Sequence, residues 1–213
     1  MKLNKYIDHT NLKPFATEQD IEKLCLEAKE HDFASVCINP CNIPMAVELL
    51  KGSDVKVCTV IGFPLGANSL MIKVAETVEA YNLGCDEFDM VINIGALMDK
   101  KYDYVRDEIA AVVEAAKGKC VKVIIETGLL TDEEKAIATR LSCEAGATFV
   151  KTSTGVSSTG ATVEDVKIMK ANVSNGVKIK ASGGIKTREF ADELVAAGAE
   201  RIGTSSGIAI VNA

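Results

Sequence analysis

Histidine is nearly absent from this chain: among 213 residues only His9 and His31 occur, and tryptophan is missing altogether. Neither histidine sits in an H-E-x-x-H or similar ligand spacing, so no metal centre is expected. Cysteine is more frequent, at Cys25, Cys37, Cys41, Cys58, Cys85, Cys120 and Cys143, but the number is odd and no pair is spaced C-x-x-C. That excludes an obvious disulfide framework or thiolate metal motif and predicts a reducing compartment. Runs such as SVCI and KVCTVI predict cysteines acting as small hydrophobes. A basic run is also missing. The formal net charge is −6, which gives no electrostatic reason for nucleic-acid binding. An anionic ligand would need a local positive site instead. No apolar stretch approaches the roughly 20 residues of a membrane span, and MKLNKYIDHT lacks a signal-peptide core. A soluble, cytoplasmic protein is expected, with no membrane partner.

Linkers and low-complexity segments are equally absent, so residues 1–213 read as a single domain. Short apolar runs alternate with amphipathic stretches. The runs predict strands over Tyr6–Thr10, Phe33–Asn39, Val55–Gly62, Glu87–Asn93, Val121–Thr127, Thr148–Ser153, Val177–Ser182 and Arg201–Ser205. Helices are predicted in TEQDIEKLCLEAKEH, SLMIKVAETVEAYNLG, YDYVRDEIAAVVEAAKG, TDEEKAIATRLSCEAG, TVEDVKIMKANV and TREFADELVAAG. Several open on Thr, Ser or Asp and several close on Gly, as helix punctuation requires.

Eight strands with intervening helices imply an α/β fold with parallel strands and right-handed crossovers. A doubly wound sheet lacks its G-x-G-x-x-G after the first strand. Internal repetition favours a closed (β/α)8 TIM barrel. GATFVKTS echoes GAERIGTS, and GCDEFD aligns with both, so Asp89, Lys151 and Gly203 each fall five residues after a helix-ending glycine. On the fourth, sixth and eighth strands, that register places them at similar height.

Strand interiors of such a barrel are normally apolar. Asp89 in EFDMVIN, Lys151 in FVKTSTG and Lys180 in VKIKASGG break that rule near strand ends, where barrels build active sites. A lysine must be neutral to attack a carbonyl, and burial or a neighbouring cation favours that state. Lys180 lies on the strand after Lys151 and supplies such a cation. Asp89 can move protons or hold Lys180 charged. The trio suits iminium and enamine chemistry; its bland alternative is an ion-pair network that only braces the barrel. Lys178, two residues before Lys180, reads as structural, lower on the same strand. His9 could reach the site mouth, though a local hydrogen bond explains it as well, and His31 reads as a solvated helix end.

A second signal is small residues after the last three strands: Ser153-Thr154-Gly155, Ser182-Gly183-Gly184 and Gly203-Thr204-Ser205-Ser206-Gly207. Barrels often bind phosphate with loops after strands seven and eight. These three clusters, Gly155 among them, are therefore candidate phosphate-binding loops. Lys186 is a candidate charged helper.

These residues carry a family resemblance. YIDHTNLKP, VCINP, VIGFPLGANS, EFDMVINIGAL, VIIETGLLT, FVKTSTG, VKIKASGGI and RIGTSSG, in this order, resemble deoxyribose-phosphate aldolases, a class I aldolase family, over essentially the whole chain. The resemblance implies a (β/α)8 barrel in which Lys151 forms the Schiff base. It implies that Lys180 perturbs Lys151, that Asp89 takes part in proton transfer, and that Gly183, Gly184, Gly203, Ser205 and Ser206 surround a substrate phosphate. Asn39, Thr152 and Cys37 become candidates for the pocket wall. The implied reaction cleaves 2-deoxy-D-ribose 5-phosphate to D-glyceraldehyde 3-phosphate and acetaldehyde, with no metal and no organic cofactor, in nucleoside catabolism. Two departures bear on rate and phosphate preference. Val156 stands where some relatives place a lysine, and residue 213 is reached without the C-terminal tyrosine tail of some longer relatives.

Two rivals share the same residues. A phosphosugar isomerase would use Asp89 as base and Lys151 as a clamp, and would turn over without a trappable imine. A phosphometabolite sensor would bind without turnover. The expected partners are small phosphosugars and aldehydes, with a homodimer as a candidate assembly through apolar helix faces.

Overall fold

A computed structural model describes residues 2–156 and 159–213. The chain runs β1 (Ile7–Asn11), α1 (Glu18–Glu30), β2 (Ser35–Ile38), α2 (Ile43–Leu49), β3 (Lys56–Ile61), α3 (Leu70–Asn82), β4 (Glu87–Val91) and α4 (Ile94–Met98). It continues through α5 (Tyr102–Ala115), β5 (Cys120–Ile124), α6 (Asp132–Glu144), β6 (Phe149–Lys151), α7 (Val163–Asn172), β7 (Lys178–Ser182), α8 (Arg188–Ala197), β8 (Arg201–Thr204) and α9 (Gly207–Asn212). All eight strands pair in parallel and in sequence order, and β8 closes onto β1, giving the expected α/β barrel.

Local chemistry fixes the helix starts. Thr17 and Thr131 form reciprocal capping boxes with Asp20 and Glu134, satisfying backbone donors that would otherwise lack partners. Thr162 and Thr187 cap α7 and α8 in the simpler way. The six amphipathic stretches all form helices, whereas α2, α4 and α9 have no counterpart among the predicted elements.

The main apolar core lies between the barrel and its helices, with Phe33, Phe88, Ile109 and Met169 fully buried in it. A small second cluster, Cys37, Cys58 and Val60, packs with Leu12 and Phe63. Charges occupy much of the space that layers of Val, Ile and Leu fill in an ordinary barrel. Asp8, Glu87, Asp89, Lys122, Lys151 and Lys180 are all buried there, with Arg201 half-buried beside them.

Candidate active site

Strand geometry brings this cluster together. Lys151 is the direct cross-strand partner of Lys180, and Lys180 of Arg201. Asp89 pairs with Lys122, which pairs in turn with Phe149 rather than Lys151. The side chains of Asp89 and Lys151 nevertheless meet. Strands tilt across a barrel, so residues at equal height are not lateral partners.

The carboxylate of Asp89 is the hub. Its Oδ2 lies 2.8 Å from Lys151 Nζ and 2.7 Å from Lys180 Nζ, so both lysines bind one oxygen. Its Oδ1 accepts from Lys122 Nζ at 2.8 Å and from the Cys58 thiol at 3.2 Å. Lys180 also donates to Asp8 Oδ2 at 2.5 Å, while Arg201 binds Asp8 Oδ1 at 2.7 Å and Glu87 Oε2 at 3.0 Å. Lys122 reaches Glu87 Oε2 at 2.6 Å, and Ser35 donates to Asp8 at 2.7 Å.

Burial alone would neutralise these groups, yet their partners win. Burial opposes the charge of Asp89, but Lys122, Lys151 and Lys180 together hold its carboxyl well below the usual range. Asp8 is likewise lowered against burial by Lys180, Lys122 and Arg201. Lys180 is raised, because Asp8 and Asp89 outweigh its desolvation, and Lys122 is raised by Asp89, Cys58, Glu87 and Asp8. Asp89 thus lies in contact with Lys180, where its charge favours the protonated amine. Three carboxylates face four cationic groups, so the loss of one proton would balance the cluster.

Of this cluster, Lys151 alone is in the wall of the cavity bordered by the late loops. That cavity, of about 380 Å³, opens at the carboxyl ends of the strands. The expected phosphate-loop residues Gly155, Gly183, Gly184, Gly203 and Ser205 line it, with Thr154, Ser182, Val156 and Lys186. Ser206 is not part of that wall; its backbone N–H donates to Thr204 Oγ1 at 2.9 Å. Two glycines have steric reasons. A Cβ at Gly203 would lie 3.0 Å from both Lys180 Cε and Ser182 Cβ, and one at Gly183 would lie 3.0 Å from Gly160 Cα. Gly203 leaves room for a lysine, and Gly183 lets the loops after β6 and β7 touch.

Other candidates fall outside the cavity wall. Thr152 is buried and bridges the backbone of Ser182, and Asn39 donates to Lys13 O at 3.4 Å. Lys178 is exposed at the opposite rim, 3.9 Å from Glu200, as expected of a structural residue. His9 turns away from the cavity to Glu27, with Nε2 2.8 Å from Oε2, a local hydrogen bond; burial lowers its pKa. His31 is half-buried and stacks on Phe33 rather than standing free in solvent.

Sequence reasoning missed Lys122, Asp8, Glu87 and Arg201, all charged strand residues that the same rule flags. It also missed Glu126, a buried residue at φ 54° whose carboxylate accepts from Thr154 N at 3.2 Å and so braces the loop after Lys151. Cys37 lies beside the hub. Its sulfur, that of Cys58 and a carboxylate oxygen of Asp89 fall within 4.8 Å of one another, an arrangement that could hold a soft cation. Burial pushes the Cys58 thiol up, so it stays a donor to Asp89.

A charge-buried barrel with one lysine of its buried cluster open to a small-residue cavity suits a lysine-dependent carbonyl enzyme. Comparison with known proteins narrows that class. Residues 2–213 match the family described as DeoC/LacD family aldolase. A deoxyribose-phosphate aldolase of Dictyoglomus turgidum is 60% identical over 211 residues, covering 99% of this chain and 96% of that protein. One from Streptococcus suis is 59% identical over 212 residues, covering 100% and 96%. The solved tetrameric deoxyribose phosphate aldolase of Aeropyrum pernix is 36% identical, with TM-score 0.91, covering 99% of this chain and 89% of that one. The chain belongs to the DeoC/LacD aldolase family.

Proposed function

We propose that the protein is a class I aldolase that reversibly cleaves 2-deoxy-D-ribose 5-phosphate into D-glyceraldehyde 3-phosphate and acetaldehyde. The observation that carries the mechanism is the access of Lys151 alone, within the buried cluster, to the cavity lined by small residues.

The amine of Lys151 adds to the C1 aldehyde and loses water to give an iminium, which withdraws electrons from C2. Removal of the proton from the C3 hydroxyl then breaks the C2–C3 bond and releases D-glyceraldehyde 3-phosphate. The electron pair stays on the two-carbon enamine held by Lys151. Protonation at its terminal carbon and hydrolysis release acetaldehyde and regenerate the amine. Asp89 and Lys180, bonded to each other and adjacent to Lys151, form with water the proton path. Gly155, Gly183, Gly184, Gly203, Ser205 and the neighbouring Ser206 surround the phosphate. No step calls for a metal or an organic cofactor.

Among the described residues, no helix is long and apolar enough to cross a membrane. A cytoplasmic setting fits that and the free cysteines. The reading includes one domain over 1–213 and a homodimer. The outer face of α3 supports pairing, for it exposes 72% of Met71 and 50% of Ile72.

Borohydride reduction with deoxyribose 5-phosphate, followed by peptide mass spectrometry, tests the mechanism. A reduced adduct on Lys151 is expected in the wild type and none in Lys151→Ala, whose turnover should fall at least about 10³-fold. Turnover without any trapped adduct would overturn the Schiff base.

A further inference from the structure

We propose that Glu126 is a positioning residue of the reaction. The bulge it forms and the buried carboxylate it carries fix the backbone that follows Lys151, and with it the approach of the reactive amine to its substrate. This rests on the aldolase reading and extends it to a residue that is not in the cavity wall.

The backbone around Glu126 departs from the regular ladder. Between β5 and β6 the register is one to one, with Lys122 opposite Phe149, Val123 opposite Val150 and Ile124 opposite Lys151. Beyond it, Ile125 N–H donates to Lys151 O at 3.0 Å and Thr127 N–H to Thr152 O at 2.9 Å. Two residues on one side advance against one on the other, so Glu126 is the extra residue of a bulge. It adopts φ 54° and ψ 63°, a left-handed conformation that glycine takes freely and glutamate does not. Among the described residues, four other non-glycine residues have positive φ: Asp32, Lys100, Lys117 and Asn175. Those four are exposed and lie in turns after helices, whereas Glu126 is buried and follows a barrel strand. A strained residue on the wall beside a nucleophile points to function more than to chain reversal.

The carboxylate explains what the strain achieves. It reaches back across to β6, where Oε2 accepts from Thr154 N–H at 3.2 Å. Ile125, Glu126 and Thr127 thus hold the segment from Lys151 to Thr154 at three points. From the other side β7 holds the same segment, since Thr152 N–H donates to Lys180 O at 3.0 Å and the Thr152 hydroxyl bonds the backbone of Ser182. The loop after β5 also closes on the far end of the loop after β6, for a Cβ at Gly128 would lie 1.7 Å from Thr159 Oγ1. Thr154 lines the cavity with Lys151 and Glu126 does not, so Glu126 acts through the residues it holds. Addition of an amine to a carbonyl depends on approach, and a displacement of about 1 Å costs on the order of 10² in rate.

The test compares wild type with Glu126→Gln, Glu126→Ala and Glu126→Gly, using 2-deoxy-D-ribose 5-phosphate. Three quantities are read: kcat and KM, the rate at which borohydride-trapped adduct accumulates on Lys151, and the urea midpoint. Glu126→Gln keeps an acceptor oxygen and should hold kcat within about threefold of wild type. Glu126→Ala should lower kcat and the trapping rate together by about 10- to 100-fold, with KM changing less than about threefold. Glu126→Gly should lose as much activity, yet unfold at a urea midpoint no lower than that of Glu126→Ala, because glycine relieves the left-handed backbone. Unchanged kcat in Glu126→Ala, a loss confined to KM, or recovery of kcat in Glu126→Gly would overturn the proposal. So would loss of folding in both the Ala and Gly variants, which would make the residue structural. Failure of the aldolase reading would look different, as a wild type with no trapped adduct and no cleavage of the sugar.

Discussion

Two sets of buried charges in this molecule answer burial in opposite ways. Asp89 and Lys180 inside the barrel are fully buried, and so are Lys73 on α3 and Glu108 on α5, 2.8 Å apart outside it. In all four the largest influence is burial, which opposes charge. In the barrel the partners overcome it, lowering Asp89 and raising Lys180. Between the helices burial prevails, raising Glu108 and lowering Lys73. The difference lies in the number of partners. Asp89 faces three ammonium groups, whereas Glu108 faces Lys73 and the backbone N–H of Asn93 at 3.0 Å. One opposite charge does not repay two desolvations; a network does. The barrel can therefore keep an ionised carboxylate in contact with Lys151, the proposed nucleophile.

The comparison breaks first at its hub. Asp89→Asn keeps the shape of the side chain and removes the charge that three lysines share. Expected losses are about 3–5 kcal/mol of stability in urea unfolding and about 10²- to 10⁴-fold in turnover. A variant as stable as wild type would mean that the lysines pair elsewhere and that the hub is dispensable.

Acid separates the two regions next. Asp8 and Asp89 have folded pKa values below the ordinary 3.8, so their contribution is complete above that pH and is lost as pH falls beneath it. Glu108 has the opposite sign. Its folded value lies above the ordinary 4.5, so its contribution is complete below 4.5 and declines as pH rises through the folded value. The wild-type urea midpoint should drop steeply once pH passes below 3.8, and Asp89→Asn should flatten that drop. An equal slope in the two proteins would remove Asp89 from the acid response.

Range along the chain decides what the sequence could disclose. All eight strands are legible because each is a short apolar run between helix punctuation. α2, α4 and α9 span seven, five and six residues, about two turns at most, too short for a periodic face to stand out. Asp89, Lys151 and Lys180 announce themselves as charges within apolar strands. Lys122 follows the lysine-bearing GKC segment, where it resembles a solvated strand entry, and Asp8 lies in a segment whose histidine draws attention first. Their partners are 33 and 172 residues away, and only barrel closure joins them. The left-handed backbone of Glu126 is likewise a tertiary fact, with no local pattern to betray it.

The smallest expected effect is the most discriminating. Glu108→Gln is as isosteric as Asp89→Asn and removes the charge from an equally buried carboxylate. The substituted amide would retain an acceptor for Asn93 N–H, and Lys73 would keep its bond to Val91 O at 2.8 Å. Because burial already disfavours the charged form of Glu108, the substitution should cost about 1–2 kcal/mol at neutral pH, less than the cost at Asp89. The sign of its pH dependence follows from the raised carboxyl. The wild type loses part of its Glu108 contribution as pH rises through the folded value, and the amide cannot. The gap between variant and wild type should therefore narrow from pH 4.5 towards neutrality in paired urea titrations. Equal costs at positions 89 and 108, or a gap that widens with pH, would show that a single buried partner stabilises a carboxylate as well as three do.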